Sequence, residues 1–209
     1  LQVDTLDLRP LPGLRLTHFT ARDVISRWDV VEVHTALSAS LATRFLDTCQ
    51  ARMPFRIQAL QVDGGSEFKA AFEAACQQRG LRLFVLPPRS PKLNGSVERA
   101  QRTHREEFYE VTDAEVAVGP LNQSLHAWER VYNTVRPHQA LGYRTPQEFV
   151  TQWRHQQQAK CHSSTGRVQA LSKVRAICYD KRHIVCGRLR AMGIEQRQKG
   201  PMVRWLKES

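Results

Sequence analysis

Three acidic residues set far apart along the chain stand where a carboxylate could do chemistry: Asp4 in QVDTLDL, Asp63 in LQVDGGSEF and Glu98 in NGSVERAQR. Leu60 and Val62 alternate like the tail of a buried strand, and Gly64 and Gly65 signal a turn, so Asp63 sits at a strand's exit. A carboxylate there is held rigidly yet within reach of solvent, while the two glycines let the backbone turn sharply or admit a ligand. Taken alone, the stretch fits a second reading as well, in which Asp63 only caps the helix that follows.

The elements that must position these acids can be read from periodicity. Leu1 to about Leu8, Leu14 to about Asp23 and Trp28 to His34 read as three strands joined by short links, which favour antiparallel neighbours. From Ser38 the pattern turns helical, with Leu41, Phe45, Leu46 and Cys49 on one face to about Arg52. Arg56 to Val62 reads as a fourth strand, Ser66 to about Arg79 as a helix stopped by Gly80, and Leu81 to Leu86 as a fifth strand. PPRSPKLNG, Pro87 to Gly95, is expected to lack regular structure because of its three prolines and its glycine. Helices from about Ser96 into Glu110 and from about Leu121 to Asn133 follow.

The order β-β-β-α-β-α-β implies a mixed α/β sheet, its later strands added in parallel through helical crossovers. With the first strand central and the fourth beside it, Asp4 and Asp63 project from adjacent strands, and Glu98 can reach them from the helix across the sheet. Three carboxylates converging at a sheet rim repel one another unless cations neutralise them, and hard divalent ions are the natural guests.

Composition bounds the rest. A chain of 209 residues is long enough for one well-filled core with a small appendage. No run of 18 apolar residues appears, so no membrane span is expected, and no secretory leader is visible. The chain opens at Leu1 and is expected to lack its true N-terminus. Cys49, Cys76, Cys161, Cys178 and Cys186 are odd in number and irregular in spacing, which points to a reducing cytoplasm. A zinc site built from Cys161, His162, Cys178, His183 and Cys186 lacks the paired close spacings of zinc modules. Residues 1–150 hold 18 Lys and Arg against 17 Asp and Glu, and residues 151–209 hold 13 against 3, so +10 of the net charge of +11 falls on the tail. Such a tail suits a polyanion such as nucleic acid. After Trp153 the pattern weakens, so residues 1–153 are expected to form the core and residues 154–209 a loosely folded or disordered basic extension, with room for a short strand pair around Ile177 and Val185.

Residues 1 to about 150 resemble the catalytic core of DDE transposases and retroviral-type integrases, particularly the transposases of bacterial insertion sequences. QVD at Gln2 to Asp4, VDGGSEF at Val62 to Phe68, PPRSPKLNGSVERAQRTHREEF at Pro87 to Phe108 and YNTVRPHQALGYRTPQEF at Tyr132 to Phe149 carry the match. The resemblance implies a ribonuclease H-like fold with Asp4, Asp63 and Glu98 as catalytic and metal-binding residues. Asp7 is a competitor for the first role but lies nearer the strand's end. Many relatives carry Asn where this chain has Gly64, a departure that removes no ligand.

From that resemblance come two Mg²⁺ (or Mn²⁺) ions, DNA as partner, action as a homo-oligomer on DNA, and a helix-turn-helix region upstream. The implied activity is cleavage at element ends followed by strand transfer into target DNA. Ser90, Lys92 and Asn94 are candidates for gripping DNA, as are Arg99, Arg102 and Arg105 along the Glu98 helix, which fit a solvated helix face nearly as well. Glu67 is expected to brace the site. Arg136 and His138 are expected to hold the closing turn of the core, and Trp28, Trp128 and Trp153 to pack inside it. A nuclease of the same architecture that never joins strands, and an inactive DNA-binding remnant, are the alternatives.

Overall fold

A computed structural model of the chain describes residues 1–87 and 91–163, apart from the side chains of residues 91, 92 and 159–163. Strands β1 (Gln2–Leu11), β2 (Leu14–Arg22) and β3 (Asp29–His34) form an antiparallel meander. Helix α1 (Ala39–Arg52) is capped by the Ser38 side chain, which accepts from the Leu41 amide, and leads to β4 (Ala59–Val62). Helix α2 (Ala71–Gln78) then crosses over to β5 (Arg82–Val85). The five strands lie in the order β3-β2-β1-β4-β5, with β4 parallel to both β1 and β5, so β1 is central as its sequence position requires. Helices α3 (Pro91–His104), α4 (Val118–Thr134) and α5 (Pro146–Ser163) complete the described chain.

Alternation along the strands divides the sheet into two faces. Val3, Phe19, Ala21, Val30, Leu60 and Val62 point to the side covered by α1 and α2, where Phe45, Leu46, Phe72 and Cys76 close a continuous apolar core. A second cluster on the opposite side gathers Leu16, Val31 and Val33 with Phe108, Leu121 and Leu125.

The outer edge of β3 would leave backbone groups unpaired. Helix α4 covers it with side chains one and two turns apart that imitate a neighbouring strand. Asn133 accepts from the Asp29 amide and donates to its carbonyl (2.9 and 2.7 Å), Glu129 accepts from the Val31 amide (2.9 Å), and Asn122 accepts from the Val33 amide and donates to its carbonyl (2.8 Å each).

Several boundaries differ from expectation. Pairing shortens the fourth strand to Ala59–Val62. The helix expected over 66–79 splits into a 3₁₀ turn, Ser66–Phe68, and α2, because Ala70 adopts a left-handed φ of 45° between them. Gly80 does end α2, at φ 65°. Helix α3 starts at Pro91, inside the stretch expected to be irregular, since a proline is tolerated in the first helical turn, where its missing N–H costs nothing. That helix gives way after His104 to a π turn, Arg105–Tyr109.

The second half of helix α5 falls beyond Trp153, where the sequence offers no trusted period. The helix runs through residue 153, where the core was expected to end, and Leu1–His155 form one compact unit. The expected strand pair around Ile177 and Val185 lies outside the described residues, as do the side chains of the imagined zinc cluster. Among the described residues no helix is long and apolar enough to cross a membrane.

Candidate active site

The pairing of β1 with β4 fixes the geometry of the site. Gln2 is in register with Gln61, so Asp4 and Asp63, each two residues further on, lie side by side and share the face that α3 covers. Asp4 faces Thr20 across the antiparallel β1–β2 pair. Its carboxylate accepts from the Thr5 amide (2.8 Å) and from Asn94 Nδ2 on α3 (2.9 Å). Burial pushes the Asp4 carboxyl up to about 6, and the nearby charges of Asp63 and Glu98 add to the rise against those two hydrogen bonds.

Asp63 does not cap a helix. Its Oδ1 accepts from the Gly65 amide (3.0 Å) within its own turn, and the cap position of the following 3₁₀ turn is Gly65, without a side-chain hydrogen bond. A Cβ at Gly65 would lie 2.6 to 2.8 Å from the Glu67 carboxylate, so a side chain there would displace it. Glu67 is 7% exposed and accepts from Thr5 Oγ1 (3.1 Å), bracing the loop after Asp63 against the strand of Asp4. At Gly64 a Cβ would meet open space, so the departure from Asn costs no packing. Asp7, the competitor of Asp4, is engaged by Arg15 and Arg9 (2.8 and 3.2 Å), which hold its carboxyl below the ordinary range.

Glu98 lies exposed on α3, one residue beyond buried Val97. Arg99, Arg102 and Arg105 are exposed on the same helix and the turn that follows, with Arg102 paired to Glu106 (2.7 Å). Asn94 does not belong with them. It is 7% exposed and donates to Asp4, so it faces the acidic strands where it was expected to grip DNA. Ser90 lies outside the described residues, and of Lys92 only the backbone, in the first turn of α3, is described.

Among the described residues no three His, Cys, Asp or Glu side chains stand close enough to enclose a metal ion as they lie. The chemistry of the donor set nevertheless fits a hard cation. Two oxygens beside Asp4, Asn94 Oδ1 and Thr20 Oγ1, are buried without a hydrogen-bond partner, and the Asp4 carboxylate is an anion destabilised by its surroundings.

Sequence reasoning missed the buried polar chain behind the site. Arg22 pairs with Asp29 (2.7 and 2.6 Å), Asp29 accepts from His104 Nε2 (3.0 Å), His104 Nδ1 meets His18 Nε2 (3.0 Å), and His18 Nδ1 meets the Tyr109 hydroxyl (2.8 Å). The signal available was Arg22 and Asp29 closing a hairpin register and His104 six residues past Glu98 on one helix. Arg136 is engaged by Glu107, and both Arg136 and the His138 ring lie over Tyr132, at 5.3 and 4.7 Å from its ring centre, which gives them the structural role expected. Trp28 and Trp128 pack half-buried against the two clusters, and Trp153 is half-buried on α5.

Residues 79–146 match the family model of the integrase core domain. The insertion element IS476 uncharacterized 39.2 kDa protein of Xanthomonas euvesicatoria is 29% identical over 153 residues, an alignment covering 68% of this chain and 41% of that protein. The chain thus spans less than half the length of that relative. The catalytic core domain of BIV integrase superposes with a TM-score of 0.59 at 21% identity, covering 75% of this chain and 96% of that one. A chain of the simian T-cell lymphotropic virus intasome, solved with PP2A regulatory subunit B56 gamma, gives a TM-score of 0.56 at 17% identity, covering 66% of this chain and 49% of that one. The sheet order and these superpositions give the chain the ribonuclease H-like fold of retroviral integrase catalytic cores, and residues 79–146 are similar to the integrase core domain.

Proposed function

We propose that this core is the catalytic part of a DNA transposase, which cuts phosphodiester bonds at the ends of a mobile element and joins those ends to target DNA. The observation that supports the proposal most directly is the Gln2–Gln61 register, because it sets Asp4 and Asp63 on one face beneath the helix that carries Glu98. Asp4, Asp63 and Glu98 are the residues that would hold the metal. Two Mg²⁺ or Mn²⁺ ions, when bound, would activate the attacking oxygen and stabilise the leaving oxygen of an in-line displacement.

The chain's own side chains prepare the site. Asn94 fixes the direction of the Asp4 carboxylate, and Glu67 steadies the Asp63 turn. With its carboxyl at about 6, Asp4 is ionised at neutral pH at a cost that an incoming cation offsets. Arg99, Arg102 and Arg105 face solvent beside Glu98, where guanidinium groups can take DNA phosphates. The neighbour solved as an intasome supports assembly of several copies on DNA ends, and a bacterial relative supports work on chromosomal DNA in the cytoplasm.

The test is a labelled duplex bearing the element's terminal sequences, incubated with protein in Mg²⁺ or Mn²⁺. Cleaved and joined products are expected, and Asp63→Asn or Glu98→Gln should abolish both while DNA binding persists. Variants as active as the parent would retire these residues from the site. Cut strands that are never joined would identify a nuclease of the same fold, and binding without reaction an inactive remnant.

A further inference from the structure

We propose that Gln2 and Gln61 form a clamp that sets the Glu98 helix against the two acidic strands, which makes both glutamines positioning residues of the active site. The proposal rests on the metal-dependent function above. Leu93 and Val97 are four apart on α3, so the carbonyl of the first and the amide of the second are groups that a helix ordinarily pairs with each other. The Gln2 side chain engages both. Its Nε2 donates to the Leu93 carbonyl (2.6 Å), and its Oε1 accepts from the Val97 amide (3.1 Å). Gln61 Nε2 donates to the same Leu93 carbonyl (2.7 Å).

The parallel register explains why two amides from different strands reach one oxygen, for Gln2 and Gln61 are direct partners on one face. Each lies two residues before an acid of the site, Gln2 before Asp4 and Gln61 before Asp63, while Val97 immediately precedes Glu98. Asn94, next to Leu93, adds the contact to Asp4 itself. A single helical turn is therefore hydrogen-bonded to the strand of Asp4 and to the strand of Asp63, donates through Asn94 to the Asp4 carboxylate, and hands on its position to Glu98. Gln2 is 6% exposed, so its amide stays in the interior only because both ends are satisfied. A shift of α3 along the sheet would carry Glu98 out of line, and misplacement on the order of 1 Å can cost about a hundredfold in rate.

The test compares the full chain with Gln2→Leu and with Gln61→Leu by three measurements: amide hydrogen exchange along α3, Mn²⁺ affinity from the resonance of the free ion, and kcat and KM for cleavage of element-end DNA. Gln2→Leu is expected to speed exchange at Val97 about tenfold or more and to weaken Mn²⁺ binding about fivefold. It should also lower kcat about 10- to 100-fold with KM for DNA within about twofold. Gln61→Leu should move Mn²⁺ affinity and kcat in the same direction by less, because Gln2 still holds the carbonyl. Unchanged Mn²⁺ affinity and kcat in Gln2→Leu would overturn the proposal. So would exchange that quickens equally in β3, since that marks a merely structural role. Wild-type protein that neither binds Mn²⁺ nor cuts DNA would sink the proposed function and the positioning role with it. Faster Val97 exchange would then mark a helix joint and nothing more.

Discussion

The two faces of the sheet are built from different chemistry. Beneath α1 and α2 the strands contribute Val3, Phe19, Ala21, Val30, Leu60 and Val62 to an apolar layer. Beneath α3 the same strands contribute Gln2, His18, Thr20, Arg22 and Asp29, all buried, and the face becomes apolar only further along, at Leu16, Val31 and Val33. Apolar packing is non-directional and tolerates small slips, whereas each polar contact fixes a donor against an acceptor. The first face holds the fold together, and the second tells the Glu98 helix where to lie.

The largest expected effect comes from breaking the buried pair. Arg22→Met leaves the Asp29 carboxylate, fully buried and held down to about 2 chiefly by Arg22 against its burial, with its hydrogen bond from His104. A loss of about 3–5 kcal/mol in urea unfolding is expected, because removing one partner strands a charge. Arg22→Met combined with Asp29→Leu should recover part of it. On the other face, Leu60→Ala and Phe72→Ala should each cost about 2–5 kcal/mol with no such recovery when combined. Equal additivity on both faces would erase the distinction drawn here.

That distinction also explains what was legible in the sequence. Strand order and the central place of β1 were readable because alternation of period two marks a buried face whichever side it serves. Asp4, Asp63 and Glu98 stand out as candidates by their motifs, whereas no local signal says that Asn94 turns towards Asp4 once the expected loop becomes helix. Helix α5 carried a usable signal that was passed over. Thr145 and Glu148 cap each other's amides (2.8 and 3.1 Å) around Pro146, the residue type favoured in a first helical turn. Its polar outer face hid the period. Of the buried polar chain only the Arg22–Asp29 register and the place of His104 on the Glu98 helix leave a local signal, and the His18–His104 contact leaves none, since it joins residues 86 apart through long-range packing.

Acid should separate the faces next. Burial lowers His18 well below its ordinary value and lowers His104 too, against the pull of Asp29. The unfolded chain therefore binds protons from about pH 6.5 downward that the folded chain refuses, so stability falls as pH drops through that point. Because an unfolded histidine is already half protonated at about pH 6.5, each contributes at most about 1 kcal/mol between about pH 6.5 and 5.5, giving a loss of up to about 2 kcal/mol for the pair. His18→Gln should flatten the slope of unfolding free energy against pH. A slope unchanged by that substitution would show that the histidine pair is not what titrates.

Asp4 runs the other way and gives the smallest effect. Its folded carboxyl, at about 6, lies above the ordinary value of 3.8, so its share of stability is full below 3.8 and is lost as pH rises through 6. At neutral pH the ionised Asp4 thus weakens the fold that displays it. Asp4→Asn keeps an acceptor for the Thr5 amide and removes the charge, and should stabilise the metal-free protein by about 1–2 kcal/mol, a rise of a few degrees in Tm. Mg²⁺ should narrow the gap by stabilising the parent and not the variant. An Asp4→Asn protein that melts below the parent in chelator would mean that its carboxylate is held comfortably, and the tension between site and fold on the α3 face would not exist.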